Sequence, residues 1–474
     1  MFATERLAFT GGAPLARRRA RATVESATIG TTEPVANQSA ERERHDRLAY
    51  RLLLFFIFVL IFRPQDDLPF LDPFHLAEVS GTAAVIALVV GRASRGRPVS
   101  TSTPELFFVF ALAAWMLVTA PFSTWPGGAV AVFTDMFSKV IVVFALIINL
   151  ITTRERFERF VTIIAAGTSY IAVRAIFDYV RGLNLVEGDR LSSSSGLFGN
   201  PNDLALNMVA FLPLAIVIAL QRKEAIARAV GLIGIPAITL SIIFAKSRGG
   251  TIGLVVMVLI FLFKMRQVRP GIAALVLLAV VLGVPSLPSN FTARMSSIFH
   301  AEEDPTGSRE ARKQLLREGY QAFLDNPVMG IGAGQFTNYK PDERQGAWRE
   351  THNAPLQVAS ELGVPGIIIF ALIIGSGFVA ARAATKALID RGARQRRRAR
   401  TAVETAEHAR LTLYAAALSA SLAGWFMAAL FASVAYYWTL YLVLGLAVAL
   451  RDITRGAVVP GVLSSARRRV APRR

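Results

Sequence analysis

The chain has no cysteine among its 474 residues. No disulfide can pin an external loop, and no thiolate can serve as nucleophile or metal ligand. Charge is also scarce: Asp, Glu, Lys and Arg fill 18% of positions, against 53% hydrophobic residues. That balance excludes an ordinary soluble enzyme and describes a polytopic membrane protein. Metal-ligand spacings are missing too, with no His-x-x-x-His pair and no Asp-x-Asp, so neither a metal nor a cofactor is expected. Residues 1–47 lack the apolar core and cleavage site of a signal peptide and read as a disordered basic cytoplasmic tail.

What the chain does have is apolar runs. Twelve stand out, at residues 48–62, 76–90, 105–120, 128–151, 160–180, 204–220, 229–245, 251–263, 271–287, 356–381, 411–432 and 435–450. The fold class that follows is all-α integral membrane, with about twelve transmembrane helices. The formal charge of +19 points to topology rather than nucleic acid, because Lys and Arg cluster beside apolar runs. With the N-terminus inside, the inner segments hold 37 of the 52 Lys and Arg, and the short outer loops hold 5. Such a bias places both termini in the cytoplasm. The domains then read as nine helices over 48–287, a periplasmic loop over 288–351 between helices 9 and 10, three helices over 352–450, and a basic cytoplasmic tail over 451–474.

This topology collects three polar clusters on the outer side, at residues 188–203, 246–250 and 288–351. A loop of that last length in a compact protein is functional or disordered. Within it, residues 308–324 place Ala311, Leu315, Leu316, Tyr320, Phe323 and Leu324 at helical spacing among four cationic residues. An amphipathic helix lying over the membrane face is expected there. Gly330-Ile-Gly-Ala-Gly334 lacks a preceding strand and a Gly-Lys-Ser/Thr ending, and reads as a tight turn rather than a phosphate loop.

The chemistry-bearing candidates lie on the same side. Arg190 and Arg248 stand at outer helix ends, where a charge snorkels or finds a partner. Two such arginines on one cavity would clamp a diphosphate through bidentate bonds. Arg174, inside the fifth helix, is expected to pair with Asp178 one turn on. His352 starts the stretch Thr351-His-Asn-Ala-Pro, where Thr351 or Asn353 can cap the helix that follows. A helix N-terminus disfavours the imidazolium, so His352 is the best candidate base. His45 and His408 fall on the inner side, and His75 and His300 in loops without organised neighbours. Gly363, Pro365 and Gly366 mark a break before the spanning part of that helix.

His352-Asn353, nine residues, then Gly363-Val-Pro-Gly366 resembles the His-[Asn/Ser/Gln]-x9-Gly-x-x-Gly signature of bacterial O-antigen ligases. Phe198-Gly-Asn-Pro-Asn202, Ser247-Arg-Gly-Gly250 and Asn326-Pro-Val-Met-Gly-Ile-Gly are similar to other recurrent pieces of the O-antigen ligase/polymerase superfamily, over roughly residues 185–450. The resemblance implies a GT-C-type glycosyltransferase of the bacterial inner membrane with a periplasmic active site. Its donor would be a glycan on undecaprenyl diphosphate. Its acceptor would be a hydroxyl of lipid A–core, of another lipid-linked glycan or of a protein, and it would use no metal or nucleotide sugar. By motif, His352 maps to the essential histidine and Arg248 to the Ser-Arg arginine; Arg190 is carried over on position only. The base would be His352, with Arg248 and Arg190 holding the diphosphate and Asn353 orienting the ring or the acceptor.

Two alternatives stay open. One is a repeat-unit polymerase of the same superfamily, although polymerases tend to lack so tidy a His-Asn-x9-Gly-x-x-Gly element. The other is a transporter or flippase, against which stand the absence of an internal repeat and the gathering of polar residues on one outer face.

Overall fold

The computed structural model describes residues 46–193, 198–266, 270–283, 285, 287–296, 308–340, 350–395 and 402–456. The expected tails, apart from residues 46–47 and 451–456, and His300 lie outside the described residues. The helices are α1 (Arg47–Phe62), α2 (Leu76–Ala93), α3 (Pro104–Thr119), α4 (Pro126–Leu150), α5 (Arg154–Val180), α6 (Pro201–Gln221), α7 (Ala225–Phe244), α8 (Arg248–Met265), α9 (Pro270–Gly283), α10 (Ser289–Ser296), α11 (Ser308–Asp325), α12 (Ala354–Gln395), α13 (Ala402–Ala429) and α14 (Trp438–Gly456). One hairpin, β1 (Leu185–Val186) with β2 (Arg190–Leu191), joins α5 to α6.

Helix starts are written in the sequence. Thr103, Thr153, Asn200 and Ser247 each accept a first-turn backbone N–H through the side-chain oxygen, at 3.2, 3.3, 2.8 and 3.2 Å. Pro104 and Pro201 follow two of these caps at a position where no N–H is needed. Within α4 the ladder widens to a π-turn over Val132–Phe137, a local feature that tends to mark functional places.

Among the described residues nine helices are long and apolar enough to cross a membrane. The other three apolar runs form α1, α9 and α14, of 16, 14 and 19 residues. The last carries Arg451, Asp452 and Arg455 in its final turns. The protein is therefore a multi-pass, all-α membrane protein, and twelve crossings is a proposal that counts these three.

The middle of the bundle is α6 and α13, each 83% buried over its apolar window, together with the almost wholly buried α14. Small residues let the axes approach. A Cβ on Gly253 of α8 would stand 2.7 Å from the Gly424 carbonyl oxygen of α13, the kind of contact that holds helices together when lipid offers no hydrophobic drive. Asn207 of α6 and Thr439 of α14 add a buried side-chain hydrogen bond between the central helices.

Polar contacts sort the connections into two ends. At one end Asn149 accepts from Arg92 at 2.7 Å and from the Thr101 N–H at 2.9 Å. Beside it Glu158 meets Arg154, Arg222 and Arg410 at 3.0, 3.0 and 3.4 Å. The opposite end gathers the α5–α6, α7–α8 and α13–α14 connections with the stretch leading into α12. Arg174 corrects the expectation made for it: it pairs with Asp67, far away in sequence. Asp178 instead accepts from the Asn184 amide at 3.0 Å.

Candidate active site

The segment that positions His352 is a helix of about two and a half turns held at both ends. At its start Asn353 is the cap, accepting the Leu356 N–H at 2.9 Å and donating from Nδ2 to the Leu430 carbonyl at 3.1 Å. At its end Gly363 adopts φ 66 and ψ −165, and a Cβ there would stand 2.2 Å from the Val328 carbonyl oxygen. Only glycine fits that backbone without strain.

A broken helix leaves carbonyls without partners, a costly state in a membrane. Here they are taken up. Ser360 and Glu361 carbonyls accept from the Ile331 and Gly332 N–H groups at 3.0 and 2.9 Å. The Leu362 carbonyl accepts from the Trp115 indole at 2.8 Å. The glycine-rich stretch 330–334 is thus a turn that docks on the break, and the buried Glu361 carboxylate secures it by accepting the Gly334 N–H at 2.7 Å.

His352 itself has φ 50, a left-handed backbone that costs on the order of 1–3 kcal/mol and concentrates at functional sites. What holds it is Ser433, from the α13–α14 connection. The Ser433 hydroxyl accepts the His352 N–H at 2.9 Å and lies 3.1 Å from the Thr351 hydroxyl. Burial, and then the Arg312 guanidinium, pull the imidazole down to about 4, so at neutral pH the ring carries no charge. Glu350, two residues earlier, is pushed up by burial, partly offset by a hydrogen bond from Ser433.

The cations come from three elements. Arg190, on β2, is buried and makes three bonds: Nε to the Ala245 carbonyl at 3.1 Å, Nη2 to Asn202 Oδ1 at 2.9 Å, and Nη1 to Glu187 at 3.3 Å. Glu187 also holds Arg294 of α10 at 3.0 Å. Burial, and then the like charge of Arg294, lower the Arg190 guanidinium to about 10, which leaves it cationic. Ser247 donates to the same Asn202 Oδ1 at 2.9 Å, so Asn202 joins Arg190 to the start of α8. Arg248 is the first residue of that helix and half-buried. The next residue, Gly249, packs on Phe431, two positions before Ser433. Arg190, Arg248 and His352 are thus carried by one contiguous set of contacts.

Beside His352 lies a cavity of about 110 Å3 lined by Thr351, Glu350, Gln357, Glu361, Ser433 and Tyr437, among others. Burial pushes up the Tyr437 hydroxyl, and the charges of Glu350 and of Asp203, at the start of α6, add to it; Glu350 also acts on Asp203. Among the described residues no three His, Asp or Glu side chains group as metal ligands do.

Of the residues singled out in the sequence, His352, Asn353, Arg248 and Arg190 gather at one end of the bundle. Asn353 has both ends of its amide engaged, so its visible task is to fix the helix start beneath His352. The sequence did not point to Ser433, which sits 81 residues away with no motif around it, nor to Arg294 and Arg312 as partners of the site. Only the position of the last two in the long outer loop was a signal.

Residues 233–371 match the family model described as O-Antigen ligase. The chain carries an O-antigen ligase domain. The resemblance seen in the motifs is thereby borne out. This O-antigen ligase domain holds Arg248, Arg312, His352, Asn353 and Gly363, while Arg190 and Ser433 lie outside it. Residues 47–182 match a family of unknown function (DUF5935). No curated protein matches the chain.

Proposed function

We propose that this protein is an inverting membrane glycosyltransferase, which moves a glycan from undecaprenyl diphosphate to an acceptor hydroxyl on the periplasmic face of the inner membrane. The O-antigen ligase domain supports a transferase of ligase or polymerase type. The observation that carries the reading is the half-buried His352, anchored on Ser433 and joined through Phe431, Gly249 and Asn202 to the elements that bear Arg248 and Arg190.

The acceptor oxygen attacks the anomeric carbon opposite the lipid diphosphate. A new carbon–oxygen bond forms as the bond to the phosphate oxygen breaks, which inverts the centre. The acceptor proton passes to the unprotonated nitrogen of His352, and the electron pair stays on the departing lipid diphosphate. Arg248 and Arg190 hold that charge with fixed donors where water is excluded. In Arg190 the longest of three bonds, from Nη1 to Glu187 at 3.3 Å, is the one a phosphate oxygen replaces.

A ring titrating near 4 is a weak base, and the bound donor mends this. The diphosphate cancels part of the Arg312 field, one of the two causes that depress the ring. Proton affinity therefore rises when the substrate is in place. The acid limb of kcat/KM, which reports the free enzyme, lies below that of kcat, which reports the complex.

The test is glycan transfer from lipid diphosphate to acceptor in detergent, at matched amounts of folded protein. His352→Ala should lose roughly 10²- to 10⁴-fold, the worth of a general base. Retention of more than about a tenth of wild-type turnover moves the role to Glu350 or Asp203. Supplying lipid A–core and a lipid-linked repeat unit as competing acceptors separates ligase from polymerase.

A further inference from the structure

At the end of the bundle away from His352, a groove of 860 Å3 opens between α3, α12 and α14. Its walls are apolar, with Phe108 on α3 and Leu372, Gly375 and Val379 on α12. The last three fall at i, i+3 and i+7, one face of a helix. Leu372 and Val379 are 46% and 64% exposed, and a Cβ built on Gly375 meets nothing within 4 Å. The missing side chain at Gly375 leaves the groove open.

The groove ends in a polar head. Glu105, in the first turn of α3, is 2% exposed. Its Oε1 binds Arg451 Nη1 at 2.5 Å, and its Oε2 is buried with no hydrogen-bond partner among the described residues. A buried carboxylate oxygen left this way is costly unless a donor reaches it. Arg455 is exposed at the rim of the same head, with the Thr101 and Ser102 hydroxyls opposite.

We infer that this groove is a binding site for one phospholipid with a primary-amine headgroup. The ammonium donates to Glu105 Oε2, the phosphodiester meets Arg455 and the neighbouring hydroxyls, and one acyl chain lies along Phe108, Leu372 and Val379. Each part of the groove matches one part of that molecule: an acceptor that lacks a donor, a cation at the membrane surface, and an apolar channel below. The site does not depend on the transferase reading.

The experiment is native mass spectrometry of the full chain after exchange into detergent with equimolar synthetic lipids of identical tails. One lipid carries an ethanolamine headgroup and the other choline, which has the same charges and no N–H. The wild type should retain a single ethanolamine lipid, in preference to choline by roughly tenfold or more, the loss expected for one charge-assisted hydrogen bond. Glu105→Gln should remove the preference. Gly375→Leu, placed where no atom opposes it, should fill the channel and lower retention of both lipids with the circular dichroism spectrum unchanged. Equal retention of both headgroups by the wild type overturns the headgroup assignment. Undiminished binding by a folded Gly375→Leu variant overturns the groove.

Discussion

At the end away from His352, where α4 meets α5, a buried charge meets its opposites: Glu158 has three arginines within 3.4 Å. At the His352 end, like charges stand together. Arg190 and Arg294 share the single carboxylate of Glu187, with Arg312 acting on both Arg190 and His352. The carboxylate of Glu350 likewise acts on Asp203. Pairing opposite charges at helix ends fastens the bundle, whereas holding like charges close works against it. Such an arrangement costs stability and pays off only when a ligand of complementary charge arrives. The difference separates a clasp from a site.

Three changes break or sharpen this contrast. Replacing Glu158 by Ala removes the carboxylate that three arginines share, leaving Arg154 with Glu407 and Arg222 with Glu224, and should destabilise the protein by about 3 kcal/mol. A large fall in the thermal midpoint should accompany unchanged turnover per folded molecule. A selective loss of turnover with normal melting would place chemistry at the wrong end. Replacing Arg248 by Ala should leave melting nearly unaffected and cost ten- to hundredfold in kcat/KM, from charge-assisted bonds worth roughly 1.5–3 kcal/mol. Lysine should restore only part, because it has no bidentate fork; a fully active Arg248→Lys protein would exclude such a contact.

A smaller effect tests the electrostatics. The base works deprotonated, so kcat/KM rises with pH through the free-enzyme pKa of His352. Arg312 is one cause of its depression to about 4. Arg312→Gln should therefore move that acid limb to higher pH, read from kcat/KM profiles against wild type. A limb that stays in place would show that the ring is not the titrating group. Sidedness needs no effect on rate at all. The chain has no cysteine, so single cysteines at Asn338 and Gly392 can be labelled cleanly. Asn338 should react from the periplasm and Gly392 only from the cytoplasm, and the opposite result would invert the proposed orientation.

Apolar runs and helix caps were legible in the sequence because both are local. The starts at Thr103, Thr153, Asn200 and Ser247 need only a polar side chain and its own next turn. Gly363 was legible as a break for the same reason. What pairs with what was not. Sequence distance favoured Asp178 for Arg174, yet the bundle brings Asp67 to it. Ser433 belongs to a different helix connection from His352, and nothing near either residue announces that one anchors the other. Asn353 was legible as a possible cap, which it forms with the Leu356 N–H, whereas its second bond, to the Leu430 carbonyl of another helix connection, was not. Hydrogen bonds between connections are set by packing of the whole bundle, which no short stretch encodes.

The helix between Asn353 and Gly363 works as a ruler. Both of its ends are fixed by hydrogen bonds, one from the Leu356 N–H to the Asn353 side chain and the others from the Ile331 and Gly332 N–H groups to the carbonyls at the break. Its nine intervening residues therefore set a length and an angle. One residue more would turn His352 by about 100° around the helix axis and lift it by about 1.5 Å, away from Ser433. The count between histidine and glycine is thus a dimension of the protein, open to changes of side chain and closed to changes of number.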